Sequence, residues 1–334
     1  MIERIGILGA GAWGTALAIA ARRSGRAVIL QARDPSTAAA IARQKENARY
    51  LPGVRLDDGI RLVSAPRDAI AGADAVLLAV PAQALRAVLQ RCACDWPPGL
   101  PAVICAKGIE EQTCALMSEV IADVIPAAPV CVLSGPSFAA EAAREQPTAV
   151  TFACADPGLR QTLPVALGSR SFRIYSSDDV VGAELGGAVK NVLAIACGIV
   201  AGKSLGDNAR AALITRGVAE LARFAASMGA RPETVFGLSG LGDLVLTCSA
   251  FQSRNFSLGV ALGRGKPLNE ILESRNTVVE GVYTAASVTE IARRDGVDMP
   301  ICAAVDAVLN RGADLERTIA DLLARPLRAE VFAA

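Results

Sequence analysis

Lys190 carries the strongest chemical signal in the chain. It stands in Leu185-Gly186-Gly187-Ala188-Val189-Lys190-Asn191-Val192, with no other charged residue between Glu184 and Lys203. Of 34 basic residues only five are lysines (45, 107, 190, 203 and 266); the rest are arginines, and histidine is absent. Arginine stays charged at any accessible pH, whereas a lysine in apolar surroundings can lose its proton, because burial disfavours the ammonium. Such a shift supplies a general acid–base near neutrality. Without histidine, that chemistry falls to Lys, Asp, Glu, Cys or Tyr. The alternative is a lysine that snorkels its head to water from a packed stem.

A second chemical pattern is Gly9-Ala10-Gly11-Ala12-Trp13-Gly14, directly after an apolar run and at the head of an alanine-rich stretch. Glycines at this spacing permit a tight strand-to-helix turn and let backbone amides approach a pyrophosphate at the helix N-terminus. The placement between strand and helix separates it from an ordinary glycine-rich turn. At the end of the next strand, Arg33 favours the extra phosphate of NADP, while Asp34 keeps a ribose contact to NAD open. Lys107 follows Ala102-Val103-Ile104-Cys105-Ala106, where its side chain would stand outside the carboxyl edge of a sheet, the edge at which such sheets bind ligands. Ser134-Gly135-Pro136-Ser137 repeats that placement. In the second half, Gly237-Leu238-Ser239-Gly240-Leu241-Gly242-Asp243 reads as a flexible turn with one acid, either a solvated cap or a partner for a lysine. Ser253-Arg254-Asn255 precedes an apolar helical stretch, and Arg254 and Asn255 at a helix start, with its free backbone amides, suit a phosphate. A plain N-cap with a surface arginine is the other reading.

Eight strands are expected: Ile5–Leu8, Ala27–Leu30, Ile60–Val63, Ala75–Val80, Ala102–Cys105, Val130–Ser134, Thr148–Phe152 and Phe172–Tyr175. Helix-like stretches such as Thr15–Arg23, Gln83–Gln90 and Met117–Asp123 separate many of them, which indicates a mostly parallel sheet covered on both faces. After about Asp178 only helices are expected: Glu184–Val200, Arg210–Met228, Ser257–Leu262, Thr284–Arg293, Ala303–Leu309 and Leu315–Leu323. The expected division is residues 1–180 for the α/β domain and 181–334 for the all-helical one, with the site in the cleft between them.

Composition narrows the function classes. A net charge of +1 with scattered basic residues gives no case for nucleic acid as a partner. The nine cysteines form no C-x-x-C pair and several lie in apolar runs, as buried thiols of a reducing cytoplasm do. With no histidine, no metal site is expected. The N-terminus begins a strand at once, and the charge-free run from Val124 to Ala140 carries three prolines, so neither a leader nor a membrane insertion is expected.

Taken together these segments resemble the bacterial-type NAD(P)-dependent sn-glycerol-3-phosphate dehydrogenases over nearly the whole chain. Beyond the motifs above, the likeness runs through Lys107-Gly108, Phe138-Ala139, Gly186 to Asn191, Ala211-Ala212-Leu213-Ile214-Thr215-Arg216-Gly217, Gly240 to Leu244 and Val278-Val279-Glu280-Gly281. The lysine and Gly-Leu-Gly-Asp segments are the specific ones. The resemblance implies a Rossmann-type doubly wound parallel sheet followed by an all-α domain like that of 6-phosphogluconate dehydrogenase. It implies Lys190 as acid–base, assisted by Lys107 and Asp243. It implies a substrate site of Lys107, Gly135, Ser137, Lys190, Asp243, Thr247, Ser253, Arg254 and Asn255. Dinucleotide contacts are implied at Gly9, Gly11, Trp13, Gly14, Arg33, Lys107, Ala139, Arg254, Val278 and Glu280. Ala12 departs from the family, which often carries Ser there, and this puts one hydroxyl contact to the cofactor in doubt.

The implied reaction interconverts dihydroxyacetone phosphate and sn-glycerol 3-phosphate, with NADP preferred over NAD, to supply phospholipid synthesis. A cytoplasmic homodimer is the expected form. On this reading Lys107 lowers the pKa of Lys190 and Asp243 raises it, and the sequence leaves the balance open. Rival readings are a ketopantoate or β-hydroxyacid dehydrogenase, which would act on carboxylates, and a catalytically dead dinucleotide sensor.

Overall fold

The computed structural model describes residues 2–275 and 278–326; residues 327–334 of the expected helical domain lie outside the described residues. The chain divides into two compact units, Met1–Ala106 with Met117–Val180, and Lys107–Leu116 with Val181–Ala334.

In the first unit the strands are β1 (Arg4–Leu8), β2 (Ala27–Gln31), β3 (Glu46–Asn47), β4 (Leu51–Arg55), β5 (Ile60–Val63), β6 (Ala75–Leu78), β7 (Ala102–Ile104), β8 (Val130–Ser134), β9 (Thr148–Cys154) and β10 (Phe172–Ser177). Its helices are α1 (Ala12–Arg23), α2 (Pro35–Gln44), α3 (Pro66–Ile70), α4 (Leu85–Gln90), α5 (Met117–Val124), α6 (Ala139–Ala143) and α7 (Pro157–Leu167). The eight expected strands form one sheet in the order β10-β9-β8-β7-β6-β1-β2-β5. The pairs are parallel except β8 with β9, which run antiparallel. Central strands are apolar throughout because both faces are covered: Ala75, Val76, Leu77 and Leu78 of β6 have no exposed surface. The order reverses at β1, with β2 on one side and β6 on the other, and the glycine turn follows β1 directly. That is the switch point at which open α/β sheets bind ligands.

The hairpin of β3 and β4 was not expected. Its polar Glu46-Asn47 and the Pro52-Gly53 break erase the alternating pattern that marks a strand.

The second unit holds α8 (Val180–Gly202), α9 (Asp207–Ser227), α10 (Pro232–Val235), α11 (Asp243–Ser249), α12 (Arg254–Gly263), α13 (Leu268–Glu273), α14 (Glu280–Arg294), α15 (Pro300–Asn310) and α16 (Leu315–Leu323). Helix α8 is apolar on every side because it is the centre of the unit, buried from Gly182 to Ile199. By length and composition it could cross a membrane, but 78% of that stretch is buried inside the protein, as in a core helix. Glycines set its contact with α12. A Cβ on Gly198 would sit 2.1 Å from the Phe256 carbonyl oxygen, and one on Gly259 would sit 2.1 Å from that of Ile195. Any larger residue would force the two backbones apart.

Candidate active site

Lys190 lies on α8 with 7% of its surface exposed. Its Nζ donates to Asp243 Oδ1 at 2.7 Å and to Thr247 Oγ1 at 2.8 Å. The Thr247 hydroxyl donates in turn to the Asp243 carbonyl at 2.6 Å. The other carboxylate oxygen, Oδ2, accepts from Lys107 Nζ at 2.7 Å, and only 1% of the Asp243 side chain is exposed. Lys107, expected at the sheet edge from its place after β7, packs with the helical unit and joins Lys190 there.

Local sequence explains this geometry. Gly186 and Lys190 are four residues apart and share one face of α8. A Cβ on Gly186 would meet the Ser239 carbonyl oxygen at 2.4 Å, so only glycine lets the 238–242 segment come this close. That segment is a π-helical turn, Leu238–Gly242, running straight into α11, rather than the flexible turn expected. Gly240 closes on Val235, whose carbonyl oxygen a Cβ there would meet at 2.0 Å. Asp243 is thereby delivered to Lys190 as the first residue of α11, where a carboxylate also suits the helix N-terminus.

The balance left open by the sequence falls on the acidic side. Burial lowers the Lys190 pKa, Asp243 raises it, and the neighbouring Lys107 charge lowers it again; the net value is about 8. Lys190 therefore exchanges its proton close to physiological pH, and the snorkelling alternative is removed by its burial.

A chain of amides frames the lysines. Gly281 N–H donates to Asn255 Oδ1 at 3.1 Å, and Asn255 Nδ2 donates to Asn191 Oδ1 at 2.8 Å. Asn191 Nδ2 then donates to the Lys107 carbonyl at 3.0 Å. The side chain of Asn255, expected as a phosphate anchor, is committed to this frame. Asn191 was missed by residue-type reasoning. The available signal was an amide inside an apolar helix, since a buried amide must find partners.

Around the start of α12, Ser253 is the N-cap, accepting from the Phe256 amide at 3.1 Å. Arg254 Nη1 donates to the Val278 carbonyl at 2.9 Å. Although Arg254 is exposed as a residue, crowding by protein lowers its pKa, with the Glu280 carboxylate acting in the opposite direction. Arg275 donates to the Arg254 carbonyl at 2.8 Å and to Ser257 Oγ at 3.1 Å. Two guanidinium groups thus adjoin a helix N-terminus that has no acid in its first turn, an arrangement suited to an anion.

The remaining expected residues, Gly9, Gly11, Trp13, Gly14, Arg33, Gly135, Ser137 and Ala139, belong to the sheet unit. Gly9 has φ +105°, and a Cβ on Gly14 would lie 1.9 Å from the Gly9 carbonyl oxygen, so the turn is as tight as the motif requires. A Cβ on Gly11 would meet nothing within 4 Å, which leaves open space beside the turn. Helix α1 has neither a side-chain cap nor an acid in its first turn. The turn thus fits a dinucleotide pyrophosphate. Trp13 packs on Phe172 with ring centroids 6.4 Å apart. Asp34 caps α2, accepting from the Ser36 and Thr37 amides and hydroxyls, and these bonds hold its pKa near 2. Arg33, the residue before this cap, is exposed. Ser137 Oγ donates to the Gly135 carbonyl at 2.9 Å, and Ala139 opens α6.

Comparison with known proteins gives one consistent result. The profile for the NAD-dependent glycerol-3-phosphate dehydrogenase N-terminus matches residues 4–159, and that for the C-terminus matches residues 179–320. A glycerol-3-phosphate dehydrogenase (NAD(P)+) of Rhodospirillum rubrum is 56% identical over 99% of this chain and 95% of its own length. One from Caulobacter vibrioides is 53% identical over 98% of this chain and 99% of its own. Among solved structures, glycerol-3-phosphate dehydrogenase from Coxiella burnetii is 37% identical, with a TM-score of 0.93 over 97% of this chain and 99% of that one. The chain belongs to the NAD-dependent glycerol-3-phosphate dehydrogenase family.

Proposed function

We propose that this protein interconverts dihydroxyacetone phosphate and sn-glycerol 3-phosphate, with NADPH preferred to NADH. The observation that carries the reading is the pair of lysines held on one buried carboxylate, one of them with a pKa of about 8. Residues of the glycine turn, with Trp13 and Arg33, would hold the dinucleotide, whose reduced nicotinamide supplies the hydride.

As negative charge gathers on the ketone oxygen, the Lys190 ammonium donates its proton there; in the reverse direction neutral Lys190 takes the proton of the secondary hydroxyl. Lys107 stabilises the oxygen's developing charge and keeps Lys190 acidic enough to give up its proton. Asp243 and Thr247 fix the direction of the Lys190 amine. Arg254 anchors the phosphate, so that binding energy remote from the reacting carbon positions it. Gly135 and Ser137 are the residues of the sheet unit assigned to the substrate, and Ala139, Val278 and Glu280 those assigned with Arg254 and Lys107 to the dinucleotide. No disulfide joins the cysteines among the described residues, in keeping with a cytoplasmic enzyme supplying phospholipid synthesis.

The test is oxidation of NADPH, followed by its absorbance, with dihydroxyacetone phosphate, with ketopantoate as control substrate and NADH as control cofactor. Turnover restricted to the triose phosphate is expected. Turnover of ketopantoate alone, or dinucleotide binding without turnover of either ketone, would overturn the reading.

A further inference from the structure

Asn47, on the unexpected hairpin strand β3, has no exposed surface and reaches into the glycine turn. Its Nδ2 donates to the Ala10 carbonyl at 2.9 Å and to Thr15 Oγ1 at 2.8 Å. The Ala10 carbonyl can only accept, so this end must be the NH₂ group. Its Oδ1 is buried with no hydrogen-bond partner. Leaving such an atom unsatisfied is costly, so the value of this residue lies in its two donated bonds.

The peptide Ala10–Gly11 is trans, as all described peptide bonds are, and in a trans peptide the C=O and N–H point in opposite directions. Holding the Ala10 oxygen against Asn47 therefore turns the Gly11 N–H the other way. Gly11 is also the residue beside which a Cβ would find open space. The Thr15 bond ties the same amide to the first turns of α1, so the turn and the helix N-terminus are held as one piece.

We infer that Asn47 is a positioning residue for the dinucleotide: by gripping the Ala10 carbonyl it aims the Gly11 amide at the pyrophosphate. The inference rests on reading the glycine turn as the dinucleotide site. It assigns the β3–β4 insertion a part in cofactor binding, although none of its residues need touch the cofactor.

The experiment measures NADPH affinity and steady-state constants for Asn47→Leu, which keeps the volume but donates nothing, and for Asn47→Asp, which keeps the shape but presents acceptors. Both should weaken NADPH binding and raise its KM about tenfold, the loss of one oriented hydrogen bond. The kcat at saturating cofactor and the KM for dihydroxyacetone phosphate should stay within about twofold of wild type, well inside that tenfold window. Gly11→Ala, which clashes with nothing in the protein, tests the site itself and should also weaken binding. Weakening by Gly11→Ala with unchanged affinity in both Asn47 variants would overturn the role of Asn47. Unchanged affinity in Gly11→Ala would instead overturn the reading of the turn. Should the Asn47 variants not fold, the Gly11 amide resonance of the wild-type protein decides: a downfield shift on adding NADP supports the inference, and no shift contradicts it.

Discussion

Lys107 and Lys190 are bound to opposite oxygens of a single carboxylate, each at 2.7 Å from Asp243. Two ammonium groups on one anion leave a net positive charge in a buried place, and the system relieves it most readily by losing a proton from the more buried lysine. That is why burial and Lys107 together outweigh Asp243 and bring Lys190 to about 8. Ketone reduction, which needs the ammonium, should fall as pH rises through that value, while alcohol oxidation, which needs the neutral amine, should rise. In Asp243→Asn the main group raising the Lys190 pKa is lost. The reduction limb should then move to lower pH, read from kcat–pH profiles of both proteins; an unmoved limb would remove Lys190 from the titration.

Arg254 should discriminate between substrates. Its guanidinium stands with that of Arg275 at the acid-free start of α12, so a phosphate gains charge-assisted bonds that a hydroxyl does not. Arg254→Ala should lower kcat/KM for dihydroxyacetone phosphate about 10²-fold or more, and for a non-phosphorylated hydroxyketone much less. Equal losses on both would move the phosphate elsewhere.

Glu220 links stability to pH away from the site. It is buried on α9, accepts from the Ile301 and Cys302 amides at the start of α15, and burial raises its pKa from 4.5 to about 7. The folded state therefore holds this proton more tightly than the unfolded one. Its contribution is fully present below the unfolded pKa of 4.5, falls as pH climbs to about 7, and is level above that. The fall should be on the order of 3 kcal/mol. Urea unfolding at about pH 5 and about pH 8 measures it, and Glu220→Gln should flatten the difference. An equally steep decline in the variant would assign it to other groups.

Much of this was legible from residue order. The sheet strands were visible because central parallel strands are apolar runs, and the glycine turn because its spacing and its place after β1 are contiguous in sequence. The lysines were visible because they are rare and one sits in an apolar helix. What hid were the relations made across space. The 238–242 segment looked flexible because its glycines signal turns, whereas they serve close approach to α8 and to Val235. Asn191, Asn255 and Asn47 each act through partners tens of residues away, and a single asparagine has no periodicity to betray it. The segment 107–116 likewise meets the helical unit through distant partners, among them Asp243, which is 136 residues from Lys107.

The central claim, that Lys190 moves the proton, is tested most directly by kcat for dihydroxyacetone phosphate reduction in Lys190→Met, with NADPH affinity measured on the same sample. Methionine fills a similar volume in the helix core without a titratable group. A loss of ~10²–10⁴-fold in kcat with NADPH affinity retained is the predicted result. Near-normal turnover would contradict it.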